Sequence, residues 1–156
     1  MMKANRKSGR TRALDQGEYE ALAQFRYTLR RFLSFSETAA GGVGLTPQQY
    51  QALLAIKGAS GEGPVTINDL AHQLMIKHNS AVGLVDRLEE EGLIARRVAR
   101  DDRRKVNLIL TPKGSRTFEK LAGAHRAELE RIGPKLSGFF DRFAVSGESR
   151  SPRQRH

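Results

Sequence analysis

Apolar side chains recur at helical spacing along most of the chain and switch to alternation in one stretch, and the region from Thr66 to Thr111 holds both patterns. Ile67, Leu70, Ala71 and Leu74 stand at i, i+3, i+4 and i+7, which lines one face of a helix. After Met75-Ile76-Lys77 the run His78–Glu91 repeats that spacing with Ala81, Leu84, Val85 and Leu88. Two amphipathic helices with so short a join predict a helix-turn-helix, whose second helix can enter a DNA major groove. Leu93–Arg100 and Lys105–Thr111 then alternate, predicting a hairpin that serves as a wing. The expected class is mainly α with a small β wing.

The flanks extend this plan. Tyr19, Leu22, Phe25, Leu29, Phe32 and Leu33 predict a helix over about 16–39, closed by Gly41-Gly42-Val43-Gly44. Thr46-Pro47-Gln48-Gln49 reads as a capping box with proline at the first helical position, and the helix should stop near Gly58. The glycine-rich loop 58–64 reads as mobile, Val65 as a short strand against the wing, and Thr66 with Asp69 as a second box. Thr111-Pro112 starts another helix carrying Phe118, Leu121, Ala122, His125, Leu129 and Ile132; Gly133-Pro134 should break it before a last short helix with Leu136, Phe139, Phe140 and Phe143. This gives a basic tail (1–13), an N-terminal dimerisation helix (14–45), a winged helix-turn-helix lobe (46–111), C-terminal dimerisation helices (112–144) and a second basic tail (145–156), both tails expected to be disordered. The first and last helices carry more apolar surface than one small lobe can cover, which predicts a homodimer built from the two chain ends.

Charge sharpens the picture. The net charge is +10 over 156 residues, and its location matters more than its size. Lys3, Arg6, Lys7, Arg10 and Arg12 stand near the start with no acid among residues 1–13, and Arg142, Arg150, Arg153 and Arg155 stand near the end. Residues 96–105 hold six basic and two acidic side chains. Cations gathered on a wing and two tails suit phosphate contact by counterion release. The chain has no cysteine, which excludes disulfides, thiolate metal sites and thiol redox sensing. No stretch has the length and apolarity of a membrane span or an N-terminal signal, so a soluble, cytoplasmic protein is expected, without a membrane partner.

The helix His78–Glu91 is polarised. His78, Asn79, Ser80 and Gly83 occupy its first half, away from the apolar stripe, whereas Asp86, Glu89, Glu90 and Glu91 crowd the second. A duplex would repel that acidic end, so only the first half should sit deep in the groove. Asn79 and Ser80 can bond base edges or phosphates; Lys77 and His78 can reach the backbone. The wing tip Arg100-Asp101-Asp102-Arg103-Arg104 suits insertion of arginine into a minor groove, with Asp102 paired to Arg104 to steady it. Arg87 and Arg97 complete the expected DNA-binding set. His72, His78, His125 and His156 are scattered without telling partners, so no catalytic residue, metal site or cofactor is expected, and the chain reads as a non-enzyme. His125, on an apolar stripe, reads as a satisfied packing residue. The alternatives from other classes are a nonspecific architectural DNA binder and a winged-helix protein-interaction module.

Several local motifs together resemble the MarR family of bacterial transcription regulators: Leu74-Met75-Ile76, Leu84-Val85-Asp86-Arg87-Leu88-Glu89, Gly92-Leu93-Ile94, Asp102-Arg103-Arg104 and Leu110-Thr111-Pro112-Lys113-Gly114. The combination is specific over about 46–114, and the order of elements matches over about 16–143. The resemblance implies a triangular homodimer with interlocked terminal helices, each subunit offering a winged helix to half of a palindromic operator. It maps the wing residues onto Asp102, Arg103 and Arg104 and the base readers onto Asn79, Ser80 and Gly83. Lys77 stands where Ser or Thr commonly caps the recognition helix, and Gly83 where a larger polar residue is usual. The resemblance also implies repression or activation tuned by small aromatic or phenolic ligands in a crevice, for which Phe25, Tyr27, Phe32, Tyr50 and Leu54 are the candidate lining.

Overall fold

The computed structural model describes residues 12–59 and 63–144; the expected disorder of the tails and the centre of the 58–64 loop fall outside the described residues. Seven elements follow in order: α1 (Gln16–Gly42), α2 (Pro47–Ala59), α3 (Ile67–Leu74), α4 (His78–Glu90), β1 (Ile94–Val98), β2 (Val106–Leu110) and α5 (Pro112–Ala144). They gather into two compact units, one made of residues up to Arg30 with those from Ile132 onward, the other of Arg31–Arg131.

In the first unit Asp15 caps α1. The Glu18 amide donates to Asp15 Oδ1 at 2.8 Å and the Asp15 amide to Glu18 Oε2 at 2.7 Å, which satisfies two otherwise orphaned groups. Phe25 stacks on Phe139 with ring centres 4.2 Å apart and meets Phe140 edge-on at 5.7 Å. Pro134 does not end the helix as the sequence suggested: α5 is one helix of 33 residues with proline inside it. Proline cannot close the rung to the Glu130 carbonyl, a loss of about 3 kcal/mol in a helix interior. Both Glu130 and Pro134 are exposed, so water can serve that carbonyl, and the packing of Phe139 and Phe143 beyond it favours continuation.

The second unit is built by helix ends that stop where expected. Gly44, at φ +77°, closes α1 in the left-handed conformation, with the Leu45 amide reaching the Ala40 carbonyl at 3.0 Å. The Thr46–Gln49 box starts α2: the Gln49 amide donates to Thr46 Oγ1 at 3.1 Å, and the Thr46 amide to Gln49 Oε1 at 3.0 Å. The Thr66–Asp69 box starts α3, and the Thr66 amide and hydroxyl together hold the Asp69 carboxyl below its usual range. Thr111 Oγ1 accepts the Gly114 amide at 3.0 Å to start α5. The join between α3 and α4 uses the same closure as α1, but with Met75 at φ 55° in the left-handed region and the Ile76 amide on the Ala71 carbonyl. Leu53, Ile56, Leu70, Leu84, Val85, Leu88 and Ile94 are fully buried, so three helices and the base of the wing share one core.

β1 and β2 pair antiparallel, Ile94 with Leu110 and Val98 with Val106, and Val65 adds a bridge to Leu108. The strands are shorter than the alternating runs suggested. Leu93 is buried before the first strand, while the Ala99 amide still reaches the Lys105 carbonyl at 2.9 Å before the tip turns.

Candidate nucleic-acid interface

Amphipathic spacing turns the apolar face of α4 into the core and leaves its polar face outward. Ala81, Leu84, Val85 and Leu88 are buried; His78, Asn79, Ser80 and Arg87 are exposed, and Gly83 is half-buried. Lys77 occupies the N-cap with extended backbone and makes no side-chain capping bond, so its ammonium is the group offered at that end. Oriented amides at a helix N-terminus favour an anion. A Cβ on Gly83 would meet only Arg87 Nη1, at 3.8 Å, so nothing in the protein requires glycine there.

The His78 ring stands beside α3, with Nδ1 2.7 Å from Asn68 Oδ1. Both residues line a cleft of about 660 Å³ that also takes in Asp69, Asp101, Arg104 and Lys105. The cleft thus joins two expected DNA-binding residues, His78 on α4 and Arg104 on the wing. Arg97, Arg100 and Arg103 are exposed on β1 and the tip. Asp102 meets the Arg104 backbone in place of the expected side-chain pair: the Arg104 amide donates to Asp102 Oδ1 at 2.9 Å, and the Lys105 amide closes the turn on the Asp102 carbonyl at 3.0 Å.

One wing cation is committed elsewhere. Arg96 Nη2 lies 2.6 Å from Asp86 Oδ1 and Nη1 lies 3.1 Å from Glu89 Oε2, and these bonds hold the guanidinium above its ordinary pKa. The positive charge of residues 96–105 is therefore lower towards solvent than the sequence sum, while the acidic half of α4 is partly neutralised. Glu91, in turn, accepts Gln49 Nε2 at 2.9 Å, and its backbone carbonyl accepts Lys113 Nζ at 2.7 Å. These bonds tie the end of α4 to α2 and α5.

A second cleft of the same unit, about 540 Å³, is mostly apolar and lined by Phe32, Tyr50, Leu54, Phe118, His125 and Arg126 among others. It contains three of the five residues expected to line a ligand crevice. The other two are elsewhere: Phe25 is packed against Phe139, and Tyr27 is exposed on α1 and does not line the cleft. Phe25 shares a helical face with Phe32, but two turns separate them by roughly 10 Å along the axis. Phe118 and His125, from the α5 stripe, complete its lining. His125 is buried and satisfied: Nδ1–H donates to the Leu121 carbonyl and Nε2 meets Ser36 Oγ, each at 2.9 Å, while Tyr50 stacks on the ring at 4.7 Å. Burial raises the Tyr50 pKa, so its hydroxyl stays a donor. Among the described residues no cluster of three or more His, Asp or Glu could hold a metal, and no helix is long and apolar enough to cross a membrane.

A helix-turn-helix followed by a two-stranded wing, with the polar edge of its second helix facing outward, defines a winged-helix protein. Comparison with known proteins narrows the class. A profile of the MarR family matches residues 43–105. The HTH-type transcriptional repressor MdtR of Bacillus subtilis is 32% identical over 88 residues, which is 56% of this chain and 55% of the repressor. Thus the match spans about half the length of that relative. A mutant of MepR from S. aureus, solved bound to an oligodeoxyribonucleotide, shares the fold with a TM-score of 0.60 at 20% identity, covering 83% of this chain and 98% of that one. CouR from Rhodococcus jostii RHA1, solved bound to p-coumaroyl-CoA, gives a TM-score of 0.64 at 20% identity, covering 87% and 100%. Over residues 43–105 the chain is thus similar to the MarR family.

Proposed function

We propose that this chain is a DNA-binding transcription regulator that acts as a homodimer, reads a palindromic operator through α4 and the wing, and represses until a small ligand binds. The observation that carries the reading is the cleft that sets His78, at the exposed polar start of α4, beside Arg104 of the wing, with the acidic half of α4 screened by Arg96. Asn79 and Ser80 read base edges from the major groove; Lys77, Arg87, Arg97, Arg100, Arg103 and Arg104 supply phosphate and minor-groove contacts, and Asp102 holds the tip. The repressor MdtR and the nucleotide-bound MepR support this role. The aromatic cleft of Phe32, Tyr50, Leu54 and Phe118 suits a planar aromatic ligand, whose carboxylate would compete with Glu130 for Arg126, the two being paired at 3.0 Å in its lining, and the coumaroyl ligand of CouR supports that class. Such a ligand releases DNA only by favouring a form of the protein that DNA does not.

Selection of bound sequences from a random duplex pool at physiological salt tests the reading. An enriched inverted repeat with half-sites one helical turn apart is the expected result. Binding without enrichment would leave an architectural DNA binder, and absence of binding would leave a protein-interaction module. Calorimetry with phenolic acids tests the sensor separately: heat of binding together with weakened operator affinity is expected, and neither being seen would remove the ligand.

A further inference from the structure

We infer that Asn68 is a positioning residue for DNA contact, holding the His78 imidazole with Nδ1–H towards α3 so that seating a backbone phosphate on Nε2 requires the ring to take up one proton. This rests on the DNA reading above and fixes the chemistry of one contact within it.

A carbonyl oxygen carries no proton, so the bond of 2.7 Å between His78 Nδ1 and Asn68 Oδ1 needs the hydrogen on the ring. That bond persists whether the ring is neutral or charged, because Nδ1–H is present in both forms. Nε2 is then the nitrogen that changes, an acceptor on the neutral ring and a donor on the imidazolium. Phosphate oxygens accept, so only the charged ring can bond one.

Charged groups of both signs surround His78. Lys77 precedes it; Asp69 on α3 and Asp101, Arg104 and Lys105 on the wing share its cleft. Asp69 is engaged by the Thr66 amide and hydroxyl at 2.8 Å each. The three cations attract phosphate, and a phosphate seated beside the ring favours the imidazolium, as the Asp69 and Asp101 carboxylates do. A phosphate on Nε2 therefore selects the charged ring. A base-edge amino donor on neutral Nε2 would require no proton, so the two kinds of contact separate by pH.

The test uses the full chain. Nitrogen-15 spectra of the imidazoles identify the His78 tautomer, assigned by its absence in His78→Gln. Anisotropy titrations of the duplex recovered by the selection run from about pH 5.5 to about pH 8, the range in which histidine changes charge. We expect Nδ1–H in the free chain and an affinity that falls as pH rises, towards a limit of about tenfold per unit for one proton. His78→Gln should bind more weakly and lack that component. Asn68→Leu should mix the two neutral tautomers, and because neutral Nε2–H donates to phosphate without a further proton, it should flatten the pH profile. Asn68→Asp keeps an accepting oxygen and adds negative charge, so it should rescue the tautomer and carry the affinity to higher pH. An Nε2–H tautomer in the free chain, or a wild-type pH profile that matches His78→Gln while binding stays tight, overturns this inference alone. A chain that binds no duplex at any pH overturns the DNA reading as well.

Discussion

Gly114 is buried in the first turn of α5, where a Cβ would stand 1.9 Å from the Leu93 carbonyl oxygen. That neighbour is backbone, fixed by the Thr111 amide bonding the same carbonyl at 3.0 Å, so it cannot swing away. Gly114→Ala should therefore lower stability by about 2 kcal/mol or more, within the range for overpacked cores, read as a lower urea midpoint at unchanged slope. Gly83 gives the opposite expectation. A methyl there meets only Arg87 Nη1, at an ordinary contact of 3.8 Å, and glycine in a helix interior costs about 1 kcal/mol against alanine. Gly83→Ala should raise the urea midpoint. If the α4 backbone approaches a duplex closely at Gly83, the same change should weaken operator binding roughly tenfold; a variant that is both more stable and equally tight would show that the position does not face DNA. At this scale the sequence is half legible. The caps at Thr46, Thr66 and Thr111 are visible because each acts within three residues. The demand on Gly114 is invisible because it comes from Leu93, which only the fold brings near.

At the scale of elements, the order and type of all seven follow from hydrophobic spacing, and the exceptions have physical causes. Pro134 fails to stop α5 because one lost rung is outweighed by aromatic packing on both sides of the chain's ends. Arg96 was counted as a wing cation, yet the alternation of β1 already assigns its direction. It shares a side with the fully buried Ile94 and so faces the protein, while Arg97 takes the outer side. What alternation alone could not say is that Asp86 and Glu89 wait there, because that depends on how α4 lies across the strand. Arg96→Ala removes a surface pair and should cost no more than about 1 kcal/mol of stability. It also uncovers two carboxylates beside the reading face. Operator affinity should fall several-fold at low salt and the deficit should shrink as salt rises, since screening acts on repulsion as on attraction. Adding Asp86→Asn and Glu89→Gln to Arg96→Ala should restore most of the affinity. If the triple variant remains as weak as the single one, Arg96 touches DNA itself.

For the whole molecule, the proposed activity depends on pairing. Within the first unit Tyr19 and Phe140 are each 55% exposed and Leu22 and Leu29 each 37%, an apolar exposure on α1 and α5 that a second copy of the chain would cover. The aromatic cleft is the least legible part of the sequence for a related reason: its wall is assembled from α1, α2 and α5, and a helical stripe reveals a face without revealing which turn of it meets which neighbour. Phe25 and Phe32 share a face of α1, yet Phe25 packs on Phe139 and Phe32 lines the cleft. A dimer turns two weak half-site contacts into one event, because the second contact occurs at the effective concentration set by the first. Leu22→Glu combined with Leu29→Glu places two charges on that surface without touching the winged helix. The variant should keep its helical content by circular dichroism and sediment as a monomer. Its affinity for the full palindrome should drop by roughly a hundredfold or more, to the value it shows for a single half-site. A variant that still sediments as a dimer would move the interface elsewhere. A monomer that held the palindrome as tightly as the wild type would mean that one winged helix suffices, and the twofold reading of the operator would fall with it.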